Sequence, residues 1–329
     1  MGRFSYSFRF LRRRRRRGAG PPGPPAPFVV GLGRSGTTLL RMMLDAHPQL
    51  TIPPETHFVS PLISASGTFR FDADRAARLI IEGKHRRWAD FGLDPEELRA
   101  RLQAIPEFNT SDALRVFYRM YASKQGKPRW GDKTPDYVRK MMKIQLVLPE
   151  ARFIHLIRDG RDAGLSHNAR IVKRGVREPL PASDLAHRWV VRINRAREVA
   201  PRLTGYLELR YEDLVADPEP ALRKACELIE LDYDPAMLDY HRHAEQRLQE
   251  MAGELPAVAG RPAREAGERV AAHAMATKPP SPERIARWKR EMSAEDQAAF
   301  EAVAGDLLAE LGYETLSGPS ASSAQRTPA

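Results

Sequence analysis

The stretch GLGRSGTT, residues 31–38, follows the apolar run Phe28-Val29-Val30 and almost completes a phosphate-binding loop of the form G-x-x-x-x-G-K-[ST]. Gly31, Gly36 and Thr38 are in place, Thr37 stands where the lysine belongs, and Arg34 has entered the loop. A strand, a glycine turn and a helix start make an anion site, because backbone N–H groups and the positive end of the helix dipole face the ligand. In a nucleotide triphosphatase the lysine reaches the β- and γ-phosphates. Its loss argues for a ligand without that phosphate chain. The backbone at Gly36 and the hydroxyls of Ser35, Thr37 and Thr38 would line a single phosphate group, and Arg34 would add a charge-assisted contact.

A second basic segment, FIHLIRDGRDAGLSHNAR, leaves a predicted strand at the end where α/β sheets bind ligands. Arg158 leads it. Ser166 and Arg170, four residues apart, share a face if the stretch is helical. That set suits a second phosphate. The plain alternative is a surface ion-pair network of Arg158, Asp159, Arg161 and Asp162. Two anion sites at the ends of parallel strands point to a nucleotide with separated phosphates.

With both loops on the page, the stretches GLGRSGTTLLRMMLDAHPQL, PPETH, WGDKTP, IRDGRDAGLSH and LRYEDLVADPE resemble the sulfotransferase superfamily, in order from about residue 27 to about residue 313. The likeness is nearest to the tyrosylprotein sulfotransferase branch and its bacterial relatives. The resemblance implies 3′-phosphoadenosine-5′-phosphosulfate (PAPS) as co-substrate, no metal, and in-line transfer of the sulfuryl group to a hydroxyl or amine. The first loop would cradle the 5′-phosphosulfate, and Arg158 with Ser166 would hold the 3′-phosphate. Glu55 matches the family's general base, the carboxylate that takes the acceptor's proton. His57, where the tyrosylprotein branch carries arginine, is a rival base and a sign of a different acceptor. Lys133 matches a lysine that supports the leaving group; with Arg34 it would stabilise charge on the bridging oxygen. An ion pair with Asp132 or Asp136 is the structural alternative for Lys133. Tyr211 matches a nucleotide contact, or is a core tyrosine. Trp130 either stacks or packs. Lys278 and Arg287 match basic positions of a lid over the cofactor, where the family often has a serine in place of Ala272.

These residues need elements to hold them. The apolar runs PFVVGL, ARFIHLI and YLELRY read as strands, and helical patterns lie between them. The expected fold is α/β: a P-loop-like parallel sheet flanked by helices, with a helical insertion (residues 72–126) on the acceptor side and disordered termini. Residues 253–282, rich in Pro, Gly and Ala, read as a long functional loop. The domain limits are 1–26 for a disordered Arg/Pro-rich arm, 27–314 for the catalytic domain and 315–329 for a disordered tail.

Composition narrows the function further. The net charge of +11 belongs to the arm: residues 1–26 carry eight arginines and no acid, and the remainder holds 45 basic against 42 acidic residues. A like-charged block is usually a solvated tail, so a nucleic-acid partner is the weaker expectation. No run of about 20 apolar residues marks a transmembrane segment. The single cysteine, Cys226, excludes an internal disulfide and suits a reducing compartment. The expected location is the cytoplasm. Two rival readings stand: a P-loop kinase or nucleotide triphosphatase, and a non-catalytic binder of anionic surfaces or nucleic acid through the arm. The acceptor is left open among peptide tyrosine, carbohydrate, lipid and small metabolite, and a homodimer is left open too.

Overall fold

The computed structural model describes residues 22–68, 71–85, 87–175, 178–257 and 263–316. The arginine arm before residue 22 and the tail after residue 316 lie outside the described residues. Six strands are present among them: β1 (Ala26–Gly31), β2 (Leu50–Thr51), β3 (Arg129–Trp130), β4 (Asp132–Lys133), β5 (Ala151–Ile157) and β6 (Tyr206–Arg210). Four form the central sheet in the order β4-β1-β5-β6, and every pairing is parallel. β2 and β3 pair separately. β1 runs beside β5 from Ala26 opposite Ala151 to Gly31 opposite Leu156, and beside β4 with Val29 opposite Lys133.

Inner parallel strands are covered on both faces and so read as continuous apolar runs. Their side chains still alternate. Phe28, Val30 and Phe153 enter one core, while Val29, Ile154 and Leu156 enter the other. The first face carries the helical insertion, the helices Val59–Ala65, Ala73–Ile81, Pro95–Gln103 and Thr110–Lys124. Asp72, Asp94 and Asn109 cap the last three, each accepting from a first-turn N–H. Phe58, Phe91, Phe117 and Tyr118 fill the space beneath them. The second face packs on the helices Thr37–Asp45, Pro218–Leu228 and His241–Gln249. The helices Ala182–Val199 and Ala294–Glu310 close a third cluster over Trp189 and Phe300.

The three strands read from the sequence are β1, β5 and β6. β4 is a strand that the apolar pattern does not reveal, because both of its residues are charged. Within the helical insertion expected over 72–126, the first helix stops at Ile81, and a short turn, Trp88–Phe91, follows the break. The loop expected over 253–282 carries an isolated bridge between Leu255 and Arg264, one helical turn at Glu268–Ala271 and another at Ala274–Thr277. Among the described residues no helix is long and apolar enough to cross a membrane. Cys226 is buried, and burial pushes its thiol up to about 11.

Candidate active site

The ends of all four sheet strands converge on one site. β1 delivers the glycine loop, β4 Lys133, β5 Arg158 and β6 Tyr211. Ligands bind outside the carboxyl ends of such strands where the strand order switches direction, as it does here at β1. In the loop, Arg34 has a φ of 78° and Gly36 a φ of 88°. Gly36 caps the helix Thr37–Asp45 without any side-chain oxygen, so the N-terminus is not satisfied by a cap of its own. A β-carbon at Gly36 would stand 2.3 Å from the Tyr211 ring, which explains the glycine. Ser35 and Thr37 are buried.

Around the loop lie guanidinium groups with few acids to balance them. Burial first, then Arg170, Arg158 and Arg284, push Arg34 down to about 10. Arg34 Nε donates to Ser166 Oγ at 3.0 Å, which joins the two sequence-predicted phosphate loops. Arg158 donates to the carbonyls of Arg34 and Arg284 and lies over the Tyr211 ring at 4.7 Å. Its contact to Asp162 is long, at 3.4 Å, and its Nε is buried with no hydrogen-bond partner. A cation cluster built around one buried, incompletely satisfied guanidinium, Arg158, beside an uncapped helix start suits a phosphorylated ligand. The residues therefore fit a nucleotide with separated phosphates. Arg161, by contrast, is saturated: it pairs with Asp159 and Glu301 and stacks on Trp288 at 3.5 Å.

Next to the loop, Lys133 Nζ donates to Glu55 Oε1 at 2.8 Å and to Thr38 Oγ1 at 3.4 Å. Glu55 Oε2 meets His57 Nε2 at 2.9 Å and Arg87 Nη1 at 3.4 Å. Burial alone would raise the Glu55 carboxyl, but Lys133, His57 and Arg87 outweigh it and hold the group well below the usual carboxylate range. Burial pushes Lys133 below the usual lysine value, and Glu55 partly offsets this. Lys133 thus pairs with Glu55, not with Asp132 or Asp136, which were its alternative partners. His57 stacks on His85 with ring centres 4.2 Å apart, and burial keeps it below the usual histidine value.

The remaining sequence candidates separate. Arg170 is exposed and lies between the two groups: partial desolvation of its guanidinium lowers it, then Arg174, and Glu55 and Arg87 act on it too. Lys278 is exposed. Arg287 pairs with Glu291, and Arg284, three residues earlier, is the arginine of this segment that acts on Arg34. Trp130 stacks on Tyr118 at 4.4 Å, inside the core. Several groups went unread in the sequence. Arg87 reaches Glu55 from the turn after the broken helix; the basic run KHRRW was its only signal. His273 feels Lys133, Glu55, Arg34 and Arg170, and burial first, then Lys133, drives it down to about 3. Arg264 completes a cationic margin, pushed to about 10 by burial and then by Arg174, Arg170 and Arg87. Among the described residues no group of three or more His, Cys, Asp or Glu side chains is arranged to hold a metal ion.

Residues 25–235 match the family model described as the sulfotransferase family. The chain is 24% identical over 302 residues to protein-tyrosine sulfotransferase 1 of Danio rerio, covering 90% of this chain and 74% of the relative. It is 24% identical over 303 residues to protein-tyrosine sulfotransferase 1 of Homo sapiens, covering 90% and 71%. Its fold is similar to the sulfotransferase domain of the Synechococcus PCC 7002 olefin synthase, with a TM-score of 0.55, 23% identity, and coverage of 88% of this chain and 97% of that one. The strand-end loop, the cation cluster and the family match agree, and the chain belongs to the sulfotransferase family.

Proposed function

We propose that this PAPS-dependent sulfotransferase uses Glu55 as the base and Lys133 with Arg34 as the cations at the leaving oxygen, and that its acceptor is a hydroxyl. The observation that carries the reading is the Lys133–Glu55 pair, 2.8 Å apart, with Lys133 also reaching Thr38 of the phosphate loop. PAPS supplies an activated sulfuryl group whose departure leaves charge on the 5′-phosphate. Ser35, Gly36, Thr37 and Thr38 would hold that phosphate, and Arg158, Ser166 and Tyr211 the far side of the nucleotide. Arg284, which acts on Arg34, would take the lid role that the resemblance implied for Arg287. Lys133 and Arg34 are fixed cations in a site largely screened from water, where charge stabilisation is strongest. Glu55 is ionised throughout the neutral range and takes the acceptor's proton as the oxygen attacks.

Both protein-tyrosine sulfotransferases described above are named for a tyrosine acceptor. A peptide tyrosine is therefore the first acceptor to try. Arg87 and Arg170 near the base, with Arg174 and Arg264 adjoining them, favour a peptide with acidic neighbours over a neutral one. The test has two parts. Calorimetric titration with 3′-phosphoadenosine-5′-phosphate (PAP), ATP and AMP should show tight, Mg²⁺-independent binding of PAP alone. Radiolabelled PAPS should then label an acidic tyrosyl peptide faster than a neutral one, with carbohydrate, lipid and small phenols run alongside. Preferential binding of ATP, strengthened by Mg²⁺, would replace the reading with a kinase.

A further inference from the structure

Glu55 and Lys133 are 78 residues apart in the chain, and the base sits on an irregular run between β2 and the helix Val59–Ala65. His57, two residues on, holds a φ of 52°, a backbone state disfavoured for a residue with a side chain. Neither a ladder nor a helix fixes this run, so side chains must. The residue between the two, Thr56, is buried and tied on every polar atom that faces β4. Its N–H donates to Thr134 Oγ1 at 3.1 Å. Its hydroxyl lies 2.7 Å from Asp132 Oδ2 and 2.9 Å from the Tyr137 hydroxyl. Tyr137 Oη accepts from the Val59 N–H at 3.1 Å, and Tyr118 donates to Asp132 Oδ2 at 2.8 Å.

The proton directions follow. The Thr56 hydroxyl gives its one proton to Asp132, so in the Thr56–Tyr137 bond the Tyr137 hydroxyl donates, while its oxygen accepts from the Val59 N–H. Asp132 and Thr134 are the two neighbours of Lys133, and Thr56 is the neighbour of Glu55. All four anchors, Thr56, Asp132, Thr134 and Tyr137, are less than 5% exposed. Polar groups so buried are retained when they fix a geometry that an apolar core would leave loose.

We propose that Thr56 and Asp132 are positioning residues for the transfer: together they fasten the segment bearing Glu55 to the strand end bearing Lys133. The proposal rests on the reading of Glu55 as base, but it concerns geometry and can fail alone. Thr56→Val keeps the shape and removes the hydroxyl. Without it the Glu55 segment drifts from Lys133, and the cation that most strongly holds the carboxyl down loses its grip.

The test is a ¹³C NMR titration of the glutamate carboxyls in the full chain, with Glu55→Gln assigning the Glu55 signal. The Glu55 midpoint should rise by about one unit or more in Thr56→Val. Thr56→Ser, which restores the hydroxyl, should return it to the parent value. PAP affinity by calorimetry should stay within about threefold, because the phosphate loop is untouched; one pKa unit corresponds to a tenfold change in proton affinity. If Thr56→Val does not fold, Tyr137→Phe breaks the same chain one link earlier and should show the same rise. An unchanged Glu55 midpoint in the folded variant overturns the proposal. Retained turnover in Glu55→Gln would instead remove the base and leave this result standing.

Discussion

Glu55 is the proposed base, and its surroundings set a sharp expectation. Glu55→Gln keeps the size and one hydrogen bond but cannot take a proton. Turnover of PAPS with any accepted hydroxyl should fall by about 100-fold or more, the usual size of a lost general base. PAP affinity, measured by calorimetry, should stay close to the parent, since Glu55 is not among the phosphate-loop residues. Turnover within a few-fold of the parent would move the role to His57. Arg158 and Arg161 make a paired test. In RDGRD the sequence places Arg158, at the strand end, ahead of Arg161, with a plain ion-pair network of both as the alternative. The structure separates them: Arg161 has every partner inside the protein, whereas Arg158 has a buried nitrogen with none. Arg158→Ala should weaken PAP by about 10- to 100-fold with little change in melting temperature, as expected for loss of a charged hydrogen bond. Arg161→Ala should do the reverse, lowering the melting temperature while the fold that survives binds PAP. Equal effects of both on binding would undo the assignment of the second phosphate site.

At the scale of elements, function depends on how strand ends are turned. Gly36 is the point of tightest tolerance. Its φ of 88° suits glycine, and the Tyr211 ring fills the space where a β-carbon would go. Gly36→Ala combines left-handed strain of about 1–2 kcal/mol with a ring displacement of similar cost. The expected result is a melting temperature lower by several degrees and loss of measurable PAP binding, because the displaced ring also supports Arg158. Calorimetry and thermal melting check both at once; intact binding would show that the Tyr211 ring can yield. The loop and the strand before it were legible because strand, glycine turn and helix follow each other within a short stretch. β4 was not. Its two residues are charged, one buried as the Lys133 partner of Glu55 and the other as the Asp132 anchor of Thr56. An apolar-run search cannot find a strand whose side chains are spent on the site. The helix over Ala73–Ile81 was legible from its periodicity, but its break was not, and the break is what carries Arg87 to Glu55.

Across the whole molecule, the site is completed by two pieces that the sheet does not contain. One is the helical insertion, which supplies Arg87; the other is the chain after residue 250, which supplies His273 and Arg284. They are joined by a pair no sequence pattern announces. Asp90 and Arg269, 179 residues apart, read as two ordinary surface charges, yet both are buried and bonded twice, at 2.5 and 2.7 Å. Arg269 also donates to the Gly253 carbonyl. Removing the carboxylate leaves a buried cation, which costs about 3–5 kcal/mol. The cost should fall on the piece that can leave, not on the sheet. Asp90→Ala is therefore expected to speed amide hydrogen exchange across residues 264–278 by about 100-fold or more, while amides of β1 and β5 keep their protection. PAP should dissociate faster in the same variant, since Arg284 follows the released segment. Hydrogen exchange read by mass spectrometry separates the outcomes. Acceleration spread evenly over the sheet would make the pair part of the global fold. No acceleration at all would mean that the segment is held by its apolar contacts, Ala276 and Val270 against the Leu248 side of the core, and that the ion pair adds nothing to its closure.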